Sequence, residues 1–406
     1  MAALLSVAQA QAQLLAMASP LAHEVCPVEQ AGGRILAEAV VAARSNPPVD
    51  VSAMDGFAIR FADLAAGAHW RIVGEAAAGQ PCPVPVTPET AVRIFTGAPV
   101  PAEADTILVQ EDASWQDETL LLTGNGPPER GAHIRKAGQD FQTGGALVPK
   151  GLLLTPVRLA LAAMGGTGHV VVSRRPRVAI FATGNELVPP GATPGPTQIV
   201  SVNSLMIGQI VRACGADVQD LGIAADTPEA LDAMLARAAG ADVIVSSGGA
   251  SVGDHDLVQP ALTRAGAEIG FWRIAMRPGK PLMAARLGSA IVLGLPGNPV
   301  SAFVTAQLFL LPLLRALQGA EAPLPVLGVA FTTVALPENG ARADYQRAYL
   351  EDMPQGPSVT PLTMQDSAHL SGLARANALI VRPALAPKVR AGQWVDVLRL
   401  PYDNQM

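Results

Sequence analysis

The spacing of apolar residues follows three successive patterns along the chain. Up to about residue 150, short apolar runs such as "FAIR" and "HWRIVGEA" are separated by Pro and Gly, which is typical of strands joined by turns. Between 174 and 320, apolar strands alternate with amphipathic helices, which indicates βαβ units and a parallel sheet. After "EAPLP" (321–325) the helical periods stop and short strands return at turn-length spacing.

These rhythms predict a multidomain α/β protein, with β-rich N-terminal domains, a parallel α/β domain and a C-terminal β-barrel domain. The predicted division, in the order elongated N-terminal linker domain, β-rich domain, α/β domain and barrel domain, is 1–44 with 138–173, 45–137, 174–322 and 323–406.

The first segment, "MAALLSVAQAQAQLLAMASPLA", has the apolar composition of a leader but lacks a positively charged start. Gln9, Gln11 and Gln13 also interrupt its apolar run. Its spacing predicts an amphipathic helix in a cytoplasmic protein, with Leu4, Leu5, Val7, Leu14, Leu15 and Met17 on one face. We expect no apolar run to reach the roughly 20 residues that a membrane span needs. The run "LFLLPLLRAL" is too short for this and contains Pro312. We therefore expect no membrane association.

The amino-acid composition of the chain limits the classes of molecule that it is expected to bind. Hydrophobic residues make up 50% of the chain and charged residues 15%, which argues against disorder. The net charge is −6 and no basic stripe occurs, so no nucleic-acid partner is expected. The cysteines Cys26, Cys82 and Cys214 lack metal-ligand spacing, so a bound metal would be a hard cation held by carboxylates.

Glycines and acids follow the predicted strands of the α/β region, in "FATGNEL", "AAD", "SSGGASVGDHD" and "GLPGNPVSAF". Because ligands bind at the carboxyl ends of parallel strands, this edge suits Mg²⁺ and a phosphorylated ligand. The N–H groups after Pro299 are expected to be free for a phosphate. Other interpretations stay open: Asp226 as a helix N-cap, Glu186 as a solvated charge, and Gly248 with Gly249 as a tight turn.

Two further segments carry candidate chemistry. In "AMRPGKPLM", Arg277 and Lys280 bracket a rigid turn that suits an oxyanion, or that forms a basic surface turn. In "SAMDGFAIR", Asp55 occupies a tight turn, where an ordinary side-chain cap is the alternative. Arg135 and Lys136 form a second basic pair near Asp140.

Eight motifs occur together in the order typical of one enzyme family. They are "SAMDGFAIR", "RIFTGAPVP", "IRKAGQD", "FATGNEL", "SSGGASVGDHD", "RPGKP", "GLPGNPVSAF" and "QDSAHLSGLARANALIV". As a set they resemble the molybdopterin molybdenumtransferases, or molybdenum insertases, which are similar to the E domain of gephyrin. The resemblance covers about residues 5 to 400 and makes the α/β unit a molybdopterin-binding domain.

The resemblance implies an enzyme that takes adenylylated molybdopterin and molybdate, releases AMP and leaves molybdenum on the dithiolene, with Mg²⁺ assisting. It implies an elongated homodimer with a composite active site, in which the α/β domain of one subunit faces the β-rich domain of the other. A molybdopterin adenylyltransferase or a molybdoenzyme is a candidate docking partner.

The family's functional positions fall on both parts of that composite site. The implied catalytic acids are Asp55, Glu186, Asp226 and Asp256, of which the last three are also the implied Mg²⁺ ligands. The implied substrate-binding residues are Thr96, Arg135, Asp140, Gly248, Gly249, Ser251, Arg277, Lys280, Pro296, Pro299, Arg347 and Ser367. Four residues depart from the family pattern and bear on metal affinity and substrate grip: Asn185, Arg277, Gln139 and Phe57.

The division of labour among these residues stays open. Cations must offset the repulsion between two anionic substrates, and Arg277, Lys280 and Arg347 are the candidates. One carboxylate either holds Mg²⁺ or positions the attacking group. An adenylyltransferase and a non-enzymatic cofactor carrier or scaffold are the other functions. The β-rich N-terminal half and the C-terminal β domain argue against the first, and the sheet-edge acids argue against the second.

Overall fold

The computed structural model describes residues 4–65, 67–249 and 257–400. Up to residue 173 the chain forms, in order, α1 (Val7–Met17), β1 (His23–Pro27), β2 (Val40–Val41), β3 (Val51–Ser52), β4 (Gly56–Ile59), β5 (His69–Ala76), β6 (Thr90–Ile94), β7 (Thr106–Val109), β8 (Ala113–Gln116), β9 (Thr119–Leu122), β10 (Ile134–Arg135), β11 (Ala146–Val148), α2 (Pro156–Met164) and β12 (His169–Ser173).

The β-rich region is a sheet with the strand order β7-β4-β6-β5-β9-β8. β4 lies inside this sheet and all four of its residues are buried, Phe57 among them. β3 and β10 pair separately beside it. Strands that precede this region in the sequence pair with strands that follow it: β1 pairs with β12, and β2 pairs with β11. The two flanking segments therefore fold together.

The α/β region begins after β12. It contains β13 (Arg177–Thr183), β14 (Leu187–Val188), β15 (Ile199–Val200), α3 (Asn203–Ala213), β16 (Asp217–Ala224), α4 (Pro228–Arg237), β17 (Val243–Ser247), α5 (Val258–Arg264), β18 (Glu268–Trp272), β19 (Met276–Arg277), β20 (Met283–Leu287), β21 (Ala290–Leu295), α6 (Pro299–Thr305), a π-helical turn (Ala306–Leu310) and α7 (Leu311–Leu317).

The main sheet of this region has the order β16-β13-β17-β21-β20-β18. Its first four strands are parallel, as the alternation of strands and helices predicts. β20 runs antiparallel to both of its neighbours, so the sheet is mixed at one end. A turn at Gly288, which has a φ of 59°, joins β20 directly to β21 without a crossover helix.

The C-terminal region contains β22 (Gly328–Thr332), β23 (Ala343–Met353), β24 (Gly356–Pro361), α8 (Leu370–Leu373), β25 (Ala378–Arg382) and β26 (Trp394–Arg399). These strands pair in the circular order β23-β24-β22-β26-β25-β23, which closes a five-stranded barrel. The predicted C-terminal β-barrel is therefore confirmed. Residues of β25 and β26 also pack into the apolar core of the α/β region, among them Leu379 and Leu398.

The long helical segment Pro299–Leu317 is long and apolar enough to cross a membrane, by length and composition alone. However, 89% of its most apolar window is buried inside the protein, so its apolar surface is already covered by packing. The sequence-based judgement that no apolar run is long enough considered only "LFLLPLLRAL", and the apolar stretch is longer than that.

The N-terminal helix α1 packs against this segment. It begins with a capping box, in which the Gln9 N–H donates to Ser6 Oγ and the Ser6 N–H donates to Gln9 Oε1. Leu4 and Leu5, which were predicted to lie on its apolar face, therefore precede the helix. Ala10 and Leu14 are buried in the α/β core. The predicted domain division instead groups residues 1–44 with the linker domain, and the exact boundaries stay a prediction.

One contact between these helices compensates for a proline. Pro312 has no N–H to donate to the Leu308 carbonyl, four residues earlier in the helix. The Gln11 side chain donates to that carbonyl at 2.9 Å. The adjoining turn is π-helical, which is how an interrupted hydrogen-bond ladder adjusts.

We expect Gln11→Ala to lower the free energy of unfolding by about 1 kcal/mol, because the Leu308 carbonyl loses this donor in a partly buried place. Gln13→Ala, on the exposed face of the same helix, is the matched control and should change stability by less than about 0.5 kcal/mol. Equilibrium denaturation in urea measures both. An equal effect of the two substitutions would contradict this role of Gln11.

An ion pair holds the first residue of the α/β region, directly after β12, to the rest of that region. Arg174 donates to both carboxylate oxygens of Asp242, at 2.7 and 2.6 Å, and the Arg177 N–H donates to the same carboxylate at 2.8 Å. Burial raises the pKa of Asp242, but the hydrogen bonds from Arg174 and Arg177 outweigh it, so the pKa lies below its usual value.

This shift gives the ion pair a defined pH dependence. The stability it contributes is complete above the unfolded-state pKa of about 3.9 and is lost as the pH falls through the lower folded-state pKa. We therefore expect Asp242→Asn to lower the melting temperature near neutral pH, with a difference from the parent that shrinks below about pH 4. Asp117→Asn, in an exposed turn, should leave the melting temperature unchanged at both pH values. A pH-independent effect of Asp242→Asn would contradict the account.

Candidate active site

The carboxyl ends of the four parallel strands are level with one another. Thr183 of β13 is opposite Ala224 of β16, and Ser247 of β17 is opposite both Ala182 and Leu295. The loops that follow these strands therefore meet at one edge of the sheet, where α/β proteins bind their ligands. We call this region the sheet edge.

Two predicted acids lie at the sheet edge. Asp226 accepts a hydrogen bond from Thr183 Oγ1 at 2.5 Å and one from the Asn185 N–H at 3.2 Å. Asn185 Oδ1 in turn accepts from the Asp226 N–H at 3.1 Å. The N-cap of α4 is Thr227, so the interpretation of Asp226 as a helix cap does not hold. Asn185, which replaces the family's acid, thus orients Asp226.

Glu186 lies beside this pair with an exposed side chain. Its carboxylate folds over Gly184, since a Cβ at that position would lie 2.6 Å from Glu186 Oε2. Glu186 and Asp226 are thus two sources of carboxylate oxygens in the loops at this edge. That donor chemistry suits a hard cation such as Mg²⁺.

The third implied ligand, Asp256, lies outside the described residues, as does Ser251. Among the residues that the structure describes, no group of three or more His, Cys, Asp or Glu side chains is arranged to hold a metal ion. The Mg²⁺ ligand set stays a prediction.

Gly248 and Gly249 need to be glycine for steric reasons. Their φ angles are 90° and 64°, in the left-handed region that side chains disfavour. A Cβ at Gly248 would lie 2.7 Å from the Thr183 carbonyl oxygen, and one at Gly249 would lie 2.5 Å from Val258 Cγ2. These glycines let the loop after β17 pass directly against β13.

Asn203 is a residue of the sheet edge that the sequence analysis missed. Its side chain donates to Ser247 Oγ at 2.8 Å and to the Gly297 carbonyl at 2.6 Å, and so joins the loops after β17 and β21. Asn203 is only 8% exposed, and its Oδ1 has no hydrogen-bond partner in the described part of the chain. In the sequence it reads as an ordinary helix start, because its partners are 44 and 94 residues away.

The loop after β21 contains Pro296 and Pro299, and Pro299 opens α6 as predicted. The C-terminal region reaches this point: Asn298 Nδ2 donates to Ser367 Oγ at 2.9 Å, and the Val300 N–H donates to the Ser367 carbonyl at 3.1 Å. The prediction that the N–H groups after Pro299 are free is wrong for Val300. Ser367 instead fixes this helix start to the barrel.

The three predicted cations have different environments. Arg277 donates to Asp344 Oδ2 at 2.9 Å and to Asn339 Oδ1 at 3.0 Å, because β19 pairs with β23 of the barrel. Lys280, three residues later, is exposed. Arg277 is also exposed, but its charge is already paired with that of Asp344.

Arg347 occupies a different kind of place. Its side chain is buried at 1% exposure and donates to the carbonyls of His369 and Met364, both at 3.0 Å. Burial lowers the pKa of its guanidinium below the usual value. In this geometry Arg347 holds the chain around Ser367 in place, and its role as a direct oxyanion ligand stays a prediction.

The predicted residues of the β-rich region form a second group. Asp55 Oδ1 accepts from the N–H and the Oγ1 of Thr96, both at 2.8 Å, and these hydrogen bonds hold the Asp55 pKa below its usual value. Asp55 is therefore a fixed carboxylate, anchored to the "FTGAP" turn. Arg135 lies on the strand that pairs with β3, next to this turn, and Asp140 accepts from Asn46 at 3.1 Å.

Arg93 supports the Asp55 turn and was not predicted. It donates to the Gly56 carbonyl at 3.1 Å, and its guanidinium lies 4.8 to 5.0 Å from the ring centres of Phe57, Phe95 and Trp115. Phe57, which replaces the family's Tyr, is part of this stack. No hydrogen bond or ion pair among the described residues joins the Asp55 group to the sheet edge.

Comparison with known proteins agrees with this architecture. Three family models match in order: "MoeA N-terminal region (domain I and II)" at residues 5–166, "Probable molybdopterin binding domain" at 179–316 and "MoeA C-terminal region (domain IV)" at 330–400. The chain resembles two solved MoeA structures from Pyrococcus horikoshii, with TM-scores of 0.85 and 0.80 at 25% and 28% identity. Each match covers 98% of this chain and 99% or more of the other.

Relatives with assigned names match over nearly the whole length. The chain is 33% identical over 398 residues to the molybdopterin molybdenumtransferase of Haemophilus influenzae, covering 97% of this chain and 98% of that protein. It is 36% identical over 392 residues to the Nostoc protein of the same name, covering 93% and 89%. The chain therefore belongs to the MoeA family, the family of the molybdopterin molybdenumtransferases.

Proposed function

We propose that this chain is a molybdopterin molybdenumtransferase, which combines adenylylated molybdopterin with molybdate and releases AMP. One observation carries the proposal: at the sheet edge Thr183 both anchors Asp226 and lies directly against Gly248 and Gly249 of the loop after β17. The relatives that share this architecture at 33% and 36% identity bear that enzyme name. The backbone at Gly248 and Gly249 lets the loop after β17 lie directly against the end of β13, beside Asp226.

The acids of the sheet edge would hold Mg²⁺ through Glu186 and Asp226, with Asp256 as the third implied ligand. A bound Mg²⁺ supplies Lewis-acid polarisation of the pyrophosphate. The chain itself supplies orientation, since Thr183 and Asn185 fix Asp226 in one position. Asn203 keeps the neighbouring loops at a fixed separation.

The cations of the "RPGKP" turn would offset the charge of the substrates. Molybdate and the adenylylated pterin are both anions, so bringing them together requires nearby positive charge. Lys280 is exposed, whereas the charge of Arg277 is partly neutralised by its ion pair with Asp344. We therefore assign the larger share of molybdate binding to Lys280.

The Asp55 group would complete the site from a second subunit. The turn holds its carboxylate through Thr96 and is supported by Arg93, which is more rigidity than an isolated surface turn needs. In a homodimer, the two subunits present the same surfaces to each other, so one Asp55 turn faces each sheet edge.

The reaction is tested with purified protein, adenylylated molybdopterin, Mg²⁺ and molybdate, by measuring AMP. We expect AMP release that depends on molybdate. Binding of the pterin without AMP release would identify a carrier, and consumption of ATP with free molybdopterin would identify an adenylyltransferase. Either outcome would overturn the proposal.

We expect Glu186→Gln to reduce AMP release by about tenfold or more, because one charged oxygen donor is lost while the shape is kept. The matched control is Glu229→Gln, an exposed acid in the first turn of α4, which should retain full activity. Raising the Mg²⁺ concentration should partly restore the Glu186 variant. Full activity of Glu186→Gln would contradict its assigned role.

A further inference from the structure

A cavity of about 1060 Å³ lies between the α/β region and the barrel. One wall comes from α3 and α6, with Met206, Ile210 and Phe303. The other wall comes from the barrel segment 361–376, which includes α8. None of the residues assigned above to the sheet edge or to the Asp55 group lines it.

The lining is apolar with a few polar groups at defined points. Its apolar members include Leu362, Met364, Leu370 and Leu373. The lining side chains with polar atoms, on which a ligand can be oriented, are Gln209, Tyr349, Thr363, His369, Ser371 and Arg375. A mostly apolar cavity with a small number of polar groups is the form that small-molecule sites take, and its volume is at the upper end of their range.

The charge around the cavity is positive. Arg375 lines it and is exposed, and no Asp or Glu is among the described residues that line it. Arg347 lies behind the same wall, since it donates to the carbonyls of Met364 and His369, two lining residues. Asp366, whose negative charge interacts with the Arg347 guanidinium, does not line the cavity.

We propose that this cavity is a second ligand site, which binds a small amphipathic anion: an apolar, ring-sized body with one carboxylate, sulfonate or phosphate group. The body would pack between α3 and α8, and the anion would face Arg375. A ligand held there contacts both the α/β region and the barrel segment that carries Ser367, so its binding would tie the two together.

The site is tested with the probe 8-anilinonaphthalene-1-sulfonate, an aromatic anion whose fluorescence rises in apolar surroundings. We expect saturable binding to one site on the full chain. The neutral analogue N-phenyl-1-naphthylamine should bind more weakly, by about threefold or more, because it lacks the charge that pairs with Arg375.

Two variants locate the probe. Ser371→Trp places a large side chain in the cavity from an exposed position of α8 and should weaken binding by at least about tenfold. Arg375→Gln should weaken sulfonate binding by about threefold to fivefold and leave the neutral analogue unaffected. The matched control Arg390→Gln, an exposed arginine elsewhere on the barrel, should change neither affinity.

Several results would overturn the proposal. They are no saturable binding to the parent chain, equal binding by Ser371→Trp with an unchanged melting temperature, and equal loss in the Arg375 and Arg390 variants. Equal affinity for the charged and neutral probes would contradict the proposal that the site selects an anion. Because the readout is probe binding, these outcomes are independent of whether the chain releases AMP.

Discussion

The parallel register of β16, β13, β17 and β21 is the constraint on which the candidate site depends. It brings the ends of four strands level, so residues far apart in sequence share one edge. A shift of β17 by one residue would turn its side chains to the opposite face of the sheet and move its glycine loop away from Thr183. The glycines and Asn203 maintain this arrangement, because each allows or makes a contact between neighbouring strand ends.

The barrel and the N-terminal helix support the α/β region from outside its sheet. Ser367 accepts a hydrogen bond from Asn298 at the start of α6, and Arg277 forms an ion pair with Asp344 of β23. Gln11 donates to the Leu308 carbonyl, to which Pro312 has no N–H to donate. Arg347 fits this pattern as an internal support for the segment around Ser367. These contacts join α1, the α/β region and the barrel, whose apolar residues also share one core.

The sequence allowed much of this to be predicted, because periodicity and turn residues are local. The βαβ order, the start of α6 at Pro299 and the closed barrel follow from such signals. Other features depend on distant partners and escaped prediction: β20 as an antiparallel strand, Asn203 between two loops, Arg93 beneath the Asp55 turn, and Ser367 at the Val300 N–H. Arg347 shows the limit of a motif, since a matched position does not reveal that its guanidinium is buried.

The central claim is that the site is shared between subunits, with Asp55 of one facing Asp226 of the other. The most direct measurement is AMP release by purified heterodimers that combine an Asp55→Ala subunit with an Asp226→Ala subunit, each carrying a different affinity tag. Each homodimer should be inactive. The heterodimer contains one intact site of two and should recover about half of the parent activity. Heterodimers that stay as inactive as the two homodimers would contradict the account.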